Sequence, residues 1–336
     1  MTGFGDTLQS RLLTLLLSHR EVAVSGEALS ESLGVTRAAV WKEIAALRSK
    51  GYVIEAATNR GYRLTKVPDL LVPELVSAAM EAGSDNKIVC LPSTDSTILH
   101  ANRMILEGAG DGTVVLAEHQ TNGMGRLGRS FESPGGEGIY LSIILEPRCG
   151  TEALGLLTSY AGLAVCEAIE KVCGIQAKIK WPNDIIIDGR KVCGILTRLV
   201  SDAETATITH AIVGIGVNVR QQSFSAELSQ KAISLRQATG VDYPRAVLTG
   251  EIVNSINRML RTERWLEQPP SHALAALRER SCTLGQQVTV ISPTKTREGF
   301  AESIDSSGGL VVRFGEERET VSSGEVSVHG VLGYAP

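Results

Sequence analysis

Gly123-Met124-Gly125-Arg126-Leu127-Gly128-Arg129-Ser130-Phe131-Glu132-Ser133-Pro134-Gly135-Gly136 is the stretch on which the architecture turns. Its first six residues spell G-x-G-x-x-G, which in a dinucleotide-binding fold joins a strand to the start of a helix. A strand, Thr113–Glu118, does precede it. The residues after Gly128 cannot form a helix, and they lead into a second strand, Ile139–Glu146. The glycines therefore sit on a long strand-to-strand loop, and no nicotinamide cofactor is expected. A Walker phosphate loop fails too, because no Gly-Lys-Ser/Thr follows. What remains is a glycine loop with two arginines, Arg126 and Arg129, able to gather over an anionic group.

Downstream, Lys180-Trp181-Pro182-Asn183-Asp184 joins two strand-like stretches, Ala177–Trp181 and Asp184–Ile187. Pro-Asn-Asp is a turn signal, and Trp181 is positioned to cover a pocket. Asp188-Gly189 is a hairpin turn, and Lys191 opens the returning strand Lys191–Val200. A lysine there is either an edge gatekeeper or a charge held for a phosphate or carboxylate, and periodicity leaves both open. Further strands (Ile88–Leu91, Ala206–Val219) alternate with helical stretches (Thr97–Gly108, Glu152–Val172, Tyr243–Arg264, Pro270–Arg280). Runs of adjacent strands with helices between them indicate α+β around a mixed sheet.

The first 66 residues form a separate unit. Leu8, Leu12, Leu15 and Leu16 recur at helical spacing, Ser25 caps a short helix, and Gly34 makes a turn. Thr36 then caps a longer helix that ends at Gly51. Two short strands, Tyr52–Glu55 and Tyr62–Leu64, follow around Asn59-Arg60-Gly61. Three helices and a hairpin are the layout of a winged helix-turn-helix. Arg37, Trp41 and Lys42 would then face the major groove, with Arg60 and Arg63 on the wing beside phosphates; the alternative is a solvated helix face and an ordinary hairpin. Val67–Pro73 reads as a linker into residues 67–281. Beyond that, residues 282–336 hold short strands punctuated by Gly and Ser, a small all-β barrel with no evident catalytic residue.

Composition narrows the function classes. At 336 residues, with 43% hydrophobic and 21% charged, the chain is an ordinary globular protein of two or three domains. The net charge of −4 excludes a polycation that coats nucleic acid, but the balance is uneven. Residues 1–66 carry nine Lys/Arg against six Asp/Glu, and the rest carries 24 against 31. A basic head on an acidic body implies separate jobs for the two parts. The apolar run Leu12–Leu17 is far short of a membrane span, and no secretory signal is expected with Asp6 and no basic start. Six scattered cysteines without a C-x-x-C pair suit buried thiols in a reducing cytoplasm, and a zinc site is not expected.

The glycine loop, Lys180–Asp184, the Lys-Val-Cys-Gly-Ile-Leu of residues 191–196, the Gly-Ile-Gly-Val-Asn of residues 214–218 and Asp95-Ser96-Thr97 resemble the biotin–protein ligases in order and spacing. With the winged helix in front and Ser-Ser-Gly-Glu-Val-Ser near the end, the resemblance spans nearly the whole chain. It is greatest to the bacterial bifunctional form, ligase and biotin operon repressor in one chain. It implies a winged helix, a central domain related to class II aminoacyl-tRNA synthetases, and an SH3-like barrel. It implies biotin and ATP as substrates, with Mg²⁺. Ser96, Thr97, Ile98 and Gln120 would hold biotin, with Gly123, Met124, Gly125 and Arg126 lining it from the loop and Trp181 and Gly194 beside it. Lys191 would meet the biotin carboxyl group and the phosphate. Arg129, Phe131, Asn183 and Asn218 would face the nucleotide, and Asp184 would support the metal ion. Lys191, Arg126 and Arg129 form the implied catalytic set. The implied partners are the biotin carboxyl carrier protein of acetyl-CoA carboxylase, operator DNA, and a second copy of the chain once adenylate is bound.

Ile98 stands where the family usually has Asn, Met124 where a basic residue is usual, and Arg198 where an acidic one is usual. Two rival functions go with the same pattern: a lipoate–protein ligase, which shares the central fold, and a biotin-sensing repressor without catalysis. Lys180–Asp184 and the glycine loop favour biotin over lipoate, and the intact Arg126 and Lys191 speak against a pure sensor.

Overall fold

The computed structural model describes residues 7–57, 61–150, 153–202, 204–205, 207–292, 295–322 and 327–330. Three helices come first: α1 (Leu8–Ser18), α2 (Gly26–Leu33) and α3 (Arg37–Ser49). Each starts at a hydroxyl that accepts a backbone N–H of the first turn: Thr7 from Ser10, Ser25 from Ala28, and Thr36 from Ala39. Gly34 ends α2 at φ 68°, the left-handed conformation that glycine enters without strain. The hairpin β1 (Val53–Ala57) and β2 (Gly61–Lys66) is antiparallel and also pairs Tyr62 with Val24. A Cβ on Gly61 would stand 2.1 Å from the Val24 carbonyl oxygen, so the wing closes only around glycine. Leu12, Leu16, Leu29, Val40, Ile44 and Leu47 form the core of this winged helix. Arg60 lies outside the described residues.

The connecting segment is firmly held. Asp69 takes the Arg245 guanidinium at 2.7 Å and that of Arg220 at 3.1 Å, and the Leu71 N–H donates to Glu118. The short helix α4 (Pro73–Ser77) follows, with proline in its first turn.

The central domain then runs β3 (Ile88–Leu91), α5 (Thr97–Leu106), β4 (Val114–Ala117), β5 (Gly138–Leu145), α6 (Leu157–Cys173), β6 (Lys178–Lys180), β7 (Asp184–Ile187), β8 (Arg190–Ser201), β9 (Ile208–Asn218), α7 (Leu235–Thr239), α8 (Arg245–Ile256) and α9 (Ala273–Arg280). Its sheet has seven strands in the order β3-β4-β5-β9-β8-β7-β6, with β3 and β4 parallel and all other neighbours antiparallel. The sheet is mixed, as the sequence indicates. β5 is buried along its whole length because helices cover both faces. On one face Val115, Ile144 and Ile212 pack under Ile98 and Ala101 of α5. On the other, Leu141, Ile143 and Val213 meet α6 and α8. The helical stretch Ala153–Cys173 is long and apolar enough to cross a membrane, but 72% of its most apolar window is buried in the fold, as befits a core helix. The expected helix over 243–264 is α8 continued by a π turn, Asn257–Thr262.

The C-terminal part is a five-stranded antiparallel sheet of β10 (Gln287–Ile291), β11 (Thr296–Ile304), β12 (Leu310–Phe314), β13 (Glu317–Val321) and β14 (Ser327–Gly330), in the order β13-β12-β11-β10-β14. Its core holds Val288, Ala301, Leu310 and Val312, and it includes Trp181 of the central domain, with Leu274 of α9 packed against it.

Candidate active site

The site begins with three missing side chains. On the α5 face of the sheet, β9 presents Ile212, Gly214 and Gly216 in succession, and neighbouring β8 presents Leu196 and Gly194, with Gly194 paired to Gly216. A Cβ on Gly214 would lie 2.4 Å from Ile98 Cδ1, one on Gly216 would lie 2.5 Å from the Phe131 ring, and one on Gly194 would lie 2.8 Å from Lys191 Nζ. The bare patch lets those three side chains lie on the sheet. Between them and the N-terminus of α5 is an inner chamber.

The inner chamber is fixed by a closed set of hydrogen bonds. The N–H and hydroxyl of Thr97 donate to the Gln120 side-chain oxygen at 2.8 and 3.2 Å, Ser142 donates to Thr97 at 2.9 Å, and Gln120 donates to Ser133 at 2.9 Å. Ser96 precedes α5 and is 1% exposed. Ser96, Thr97, Ile98, Gln120, Met124, Gly125, Arg126, Lys191 and Gly194 all line this chamber. Gly123 stands behind it, where a Cβ would strike the Phe131 carbonyl oxygen at 2.3 Å.

A larger outer chamber opens beyond it. Arg129, Ser130, Lys180, Asp184 and Lys231 line it, and Arg126, Phe131, Asn183 and Lys191 border both chambers. Asn183 ties these parts together. Its side-chain oxygen accepts Arg126 at 3.0 Å, and its amide nitrogen donates to the Ile195 carbonyl at 3.0 Å. Lys191 Nζ lies 2.6 Å from Asp184 Oδ1 and 6.0 Å from the Phe131 ring centre. Burial lowers the Arg126 pKa, against the pull of Asp184. The shared wall is therefore cationic and partly dry.

Several sequence expectations change. Lys191 is on β8, an interior strand between β9 and β7, so the edge-gatekeeper alternative is excluded. Trp181 lines the outer chamber but its ring is not a lid for a ligand. It is 2% exposed in the core of the C-terminal sheet, and its indole N–H donates to the Gly308 carbonyl at 3.0 Å. Asn218 turns inward, its amide reaching the Ile233 and Lys191 carbonyls at 3.3 and 3.4 Å, and it lines neither chamber.

Sequence reasoning missed Lys180, which is 3% exposed in the outer wall, with its pKa pushed down to about 8 by burial, Asp184 opposing. Nothing in its neighbours signals this. Gly214 and Gly216 did carry a signal: glycine at alternate positions of an apolar strand marks a face that something approaches closely.

In the winged helix, Trp41 is 63% exposed on α3 beside the exposed Lys42. Arg37 pairs with Glu27 at 2.7 Å and Arg63 with Glu55 at 2.9 Å. Among the described residues no group of three or more His, Cys, Asp or Glu could hold a metal ion.

Residues 90–218 match the biotin/lipoate A/B protein ligase family, residues 8–63 an HTH domain, and residues 283–328 the biotin protein ligase C terminal domain. The chain is 33% identical over 330 residues to the bifunctional ligase/repressor BirA of Bacillus subtilis, covering 96% of this chain and 99% of that protein. It is 27% identical over 326 residues to the Escherichia coli protein of the same name, covering 96% and 98%. The biotin protein ligase of Aquifex aeolicus in complex with biotin and ATP is similar in structure, with a TM-score of 0.64 at 30% identity, covering 73% of this chain and 99% of that one.

Proposed function

The chain belongs to the family of bifunctional biotin–protein ligases and repressors, and we propose how its residues divide that work. The protein joins biotin to the AMP portion of ATP with release of pyrophosphate, transfers the biotinyl group to a carrier-protein lysine, and acts as a transcriptional repressor. The observation that carries the residue assignment is the pair of chambers with a common cationic wall.

Biotin's ring system takes the inner chamber, against Ser96, Thr97, Gln120 and the bare sheet. Its carboxylate points to the shared wall, and ATP occupies the outer chamber. A carboxylate oxygen attacks the α-phosphorus, the bond to the β-phosphate breaks, and pyrophosphate leaves. Both reactants are substrates, so the protein has to place them and stabilise the negative charge that builds at phosphorus. Lys191 and Arg126 stand where that charge develops, and Arg129 and Lys180 stand further out toward the leaving phosphates. A deprotonated lysine of the carrier then attacks the acyl carbon, and AMP leaves.

Mg²⁺ fits this site as a companion of the nucleotide. Such an ion keeps several waters and binds through one or two carboxylates plus phosphates, and Asp184 and Glu227 are the carboxylates lining the outer chamber. It would supply charge neutralisation to the phosphates.

The working division is residues 1–66 for DNA, 67–281 for chemistry and 282–336 for support. Arg37, Trp41, Lys42 and Arg60 read the operator, and two copies related by a two-fold axis read a palindrome. The carrier is the biotin carboxyl carrier protein of acetyl-CoA carboxylase. The cysteines are free thiols, which suits the reducing cytoplasm.

Pyrophosphate release with ATP-Mg²⁺ tests the chemistry: release with biotin is expected, release only with lipoate overturns the substrate, and none with either leaves a sensor. Operator binding should tighten with biotin plus ATP, and equal binding with neither removes the switch. Sedimentation under the same two conditions checks the pairing of copies.

A further inference from the structure

We infer that Arg103, outside both chambers, is a positioning residue for the biotin ring, acting through Asp95. The inference rests on the assignment of biotin to the inner chamber.

Arg103 lies on α5, and its guanidinium grips both oxygens of the Asp95 carboxylate, Nη1 to Oδ2 at 2.9 Å and Nη2 to Oδ1 at 2.8 Å. The same Oδ1 accepts the Ser96 N–H at 2.7 Å and the Thr94 hydroxyl at 3.0 Å. Asp95 therefore sets the backbone of Ser96 where α5 begins, and Thr97 follows with its two bonds to Gln120. The Asp95 carbonyl accepts the Asn122 N–H at 2.9 Å, and the Thr94 carbonyl accepts that of Thr121 at 2.9 Å. Asn122 immediately precedes Gly123. One carboxylate thus stands where the segment facing biotin crosses the root of the glycine loop. Arg103 holds the Asp95 pKa well below the usual carboxylate range, so the brace is charged throughout the neutral range.

A two-point fork fixes the direction of a carboxylate as well as its position, which a point charge does not do. The pair is half-exposed, with side chains 50% and 39% accessible. Such pairs contribute little to folding. Loss of the fork should leave the fold intact and let Ser96 and Thr97 drift, and small misplacements of binding groups are costly.

The test measures pyrophosphate release by the full chain as a function of biotin and, separately, of ATP, for wild type, Arg103→Ala and Arg103→Lys. Arg103→Ala should raise the biotin KM roughly tenfold, with kcat at saturating biotin and the ATP KM changed less than about twofold. Its unfolding midpoint should stay within about 2 °C of wild type. Arg103→Lys should recover part of the loss, since it keeps the charge without the fork. An unchanged biotin KM in Arg103→Ala overturns the inference. So does a parallel rise in the ATP KM or loss of the fold, either of which makes the pair a general support. Absence of biotin-dependent release by wild type removes the ligase assignment and the inference with it, and that outcome is visible before any variant is compared.

Discussion

The two chambers differ in what they are made of. Apart from the loop residues Met124, Gly125 and Arg126 at its mouth, the inner one is bounded by a sheet face, a helix start and buried side chains whose hydrogen bonds are already closed on one another, from Ser142 through Thr97 and Gln120 to Ser133. The outer one is bounded by an exposed loop, a turn and long cations. Binding in a prebuilt pocket loses little conformational freedom, whereas ordering glycine-rich backbone around a ligand does. On the proposed assignment the contrast implies an order of events: biotin would meet a finished surface, and the nucleotide or the adenylate would finish the surface it meets.

Lys191 belongs to both chambers, so its removal should have the largest effect. Lys191→Ala is expected to slow adenylation by on the order of 10²–10³ while leaving the unfolding midpoint nearly unchanged, measured by pyrophosphate release beside thermal melting. Near-normal release by the folded variant would separate the chambers entirely. Arg126 is the hinge of the outer loop onto Asn183. Arg126→Gly removes a charge-assisted contact of about 1.5–3 kcal/mol, and roughly ten- to hundredfold faster escape of biotinyl-AMP should follow. Released anhydride reacts with exposed amines, so incubation with albumin, biotin and ATP-Mg²⁺ should label the bystander more than wild type does. Adenylate formed without extra labelling would show that the loop is no lid.

Gly214→Ala addresses the finished surface. Its Cβ would press Ile98, 2.4 Å away, toward the space meant for the ring. A roughly tenfold rise in the biotin KM is expected, with the ATP KM unchanged; equal rises in both would erase the contrast. The smallest effect concerns pH. Lys180 loses its charge as pH rises through about 8, which weakens attraction for phosphates by roughly 1 kcal/mol, about fivefold. The ATP KM should rise across that range, the biotin KM should not, and Lys180→Met should flatten the profile. The same depression makes the fold gain stability as pH climbs from about 8 toward the ordinary lysine value of 10.5, because the unfolded chain holds that proton longer.

The winged helix was legible because its signals are local: Thr7, Ser25 and Thr36 cap their own helices, and Gly34 ends one. The glycine loop was legible because a strand, not a helix, follows it. Other features depend on parts of the chain far apart in sequence. Trp181 finds its acceptor at Gly308, and no pattern around either announces the pairing. The family resemblance implies that Asn218 faces the nucleotide, yet the returning chain at Ile233 brings a carbonyl that accepts its amide. Lys180 looks like any strand lysine until the turn after it and the wall opposite have been assembled.

Arg245 carries one more consequence. Every nitrogen of its fully buried guanidinium is engaged, by Asp69, Glu118 and Gly138, and its own backbone N–H also reaches Asp69. The segment leaving the winged helix is thereby bolted to the end of β4, two residues before Gln120. With its donors saturated, the joint has no slack of the kind a tether would provide. The helix α3, proposed to read DNA, should therefore tumble with the rest of the molecule rather than wobble on a string. Nitrogen-15 relaxation of α3 would report the correlation time of the whole chain. In the proposed pair of copies, the separation of the two reading helices would be a property of protomer geometry, a rigid caliper against which operator half-sites are measured.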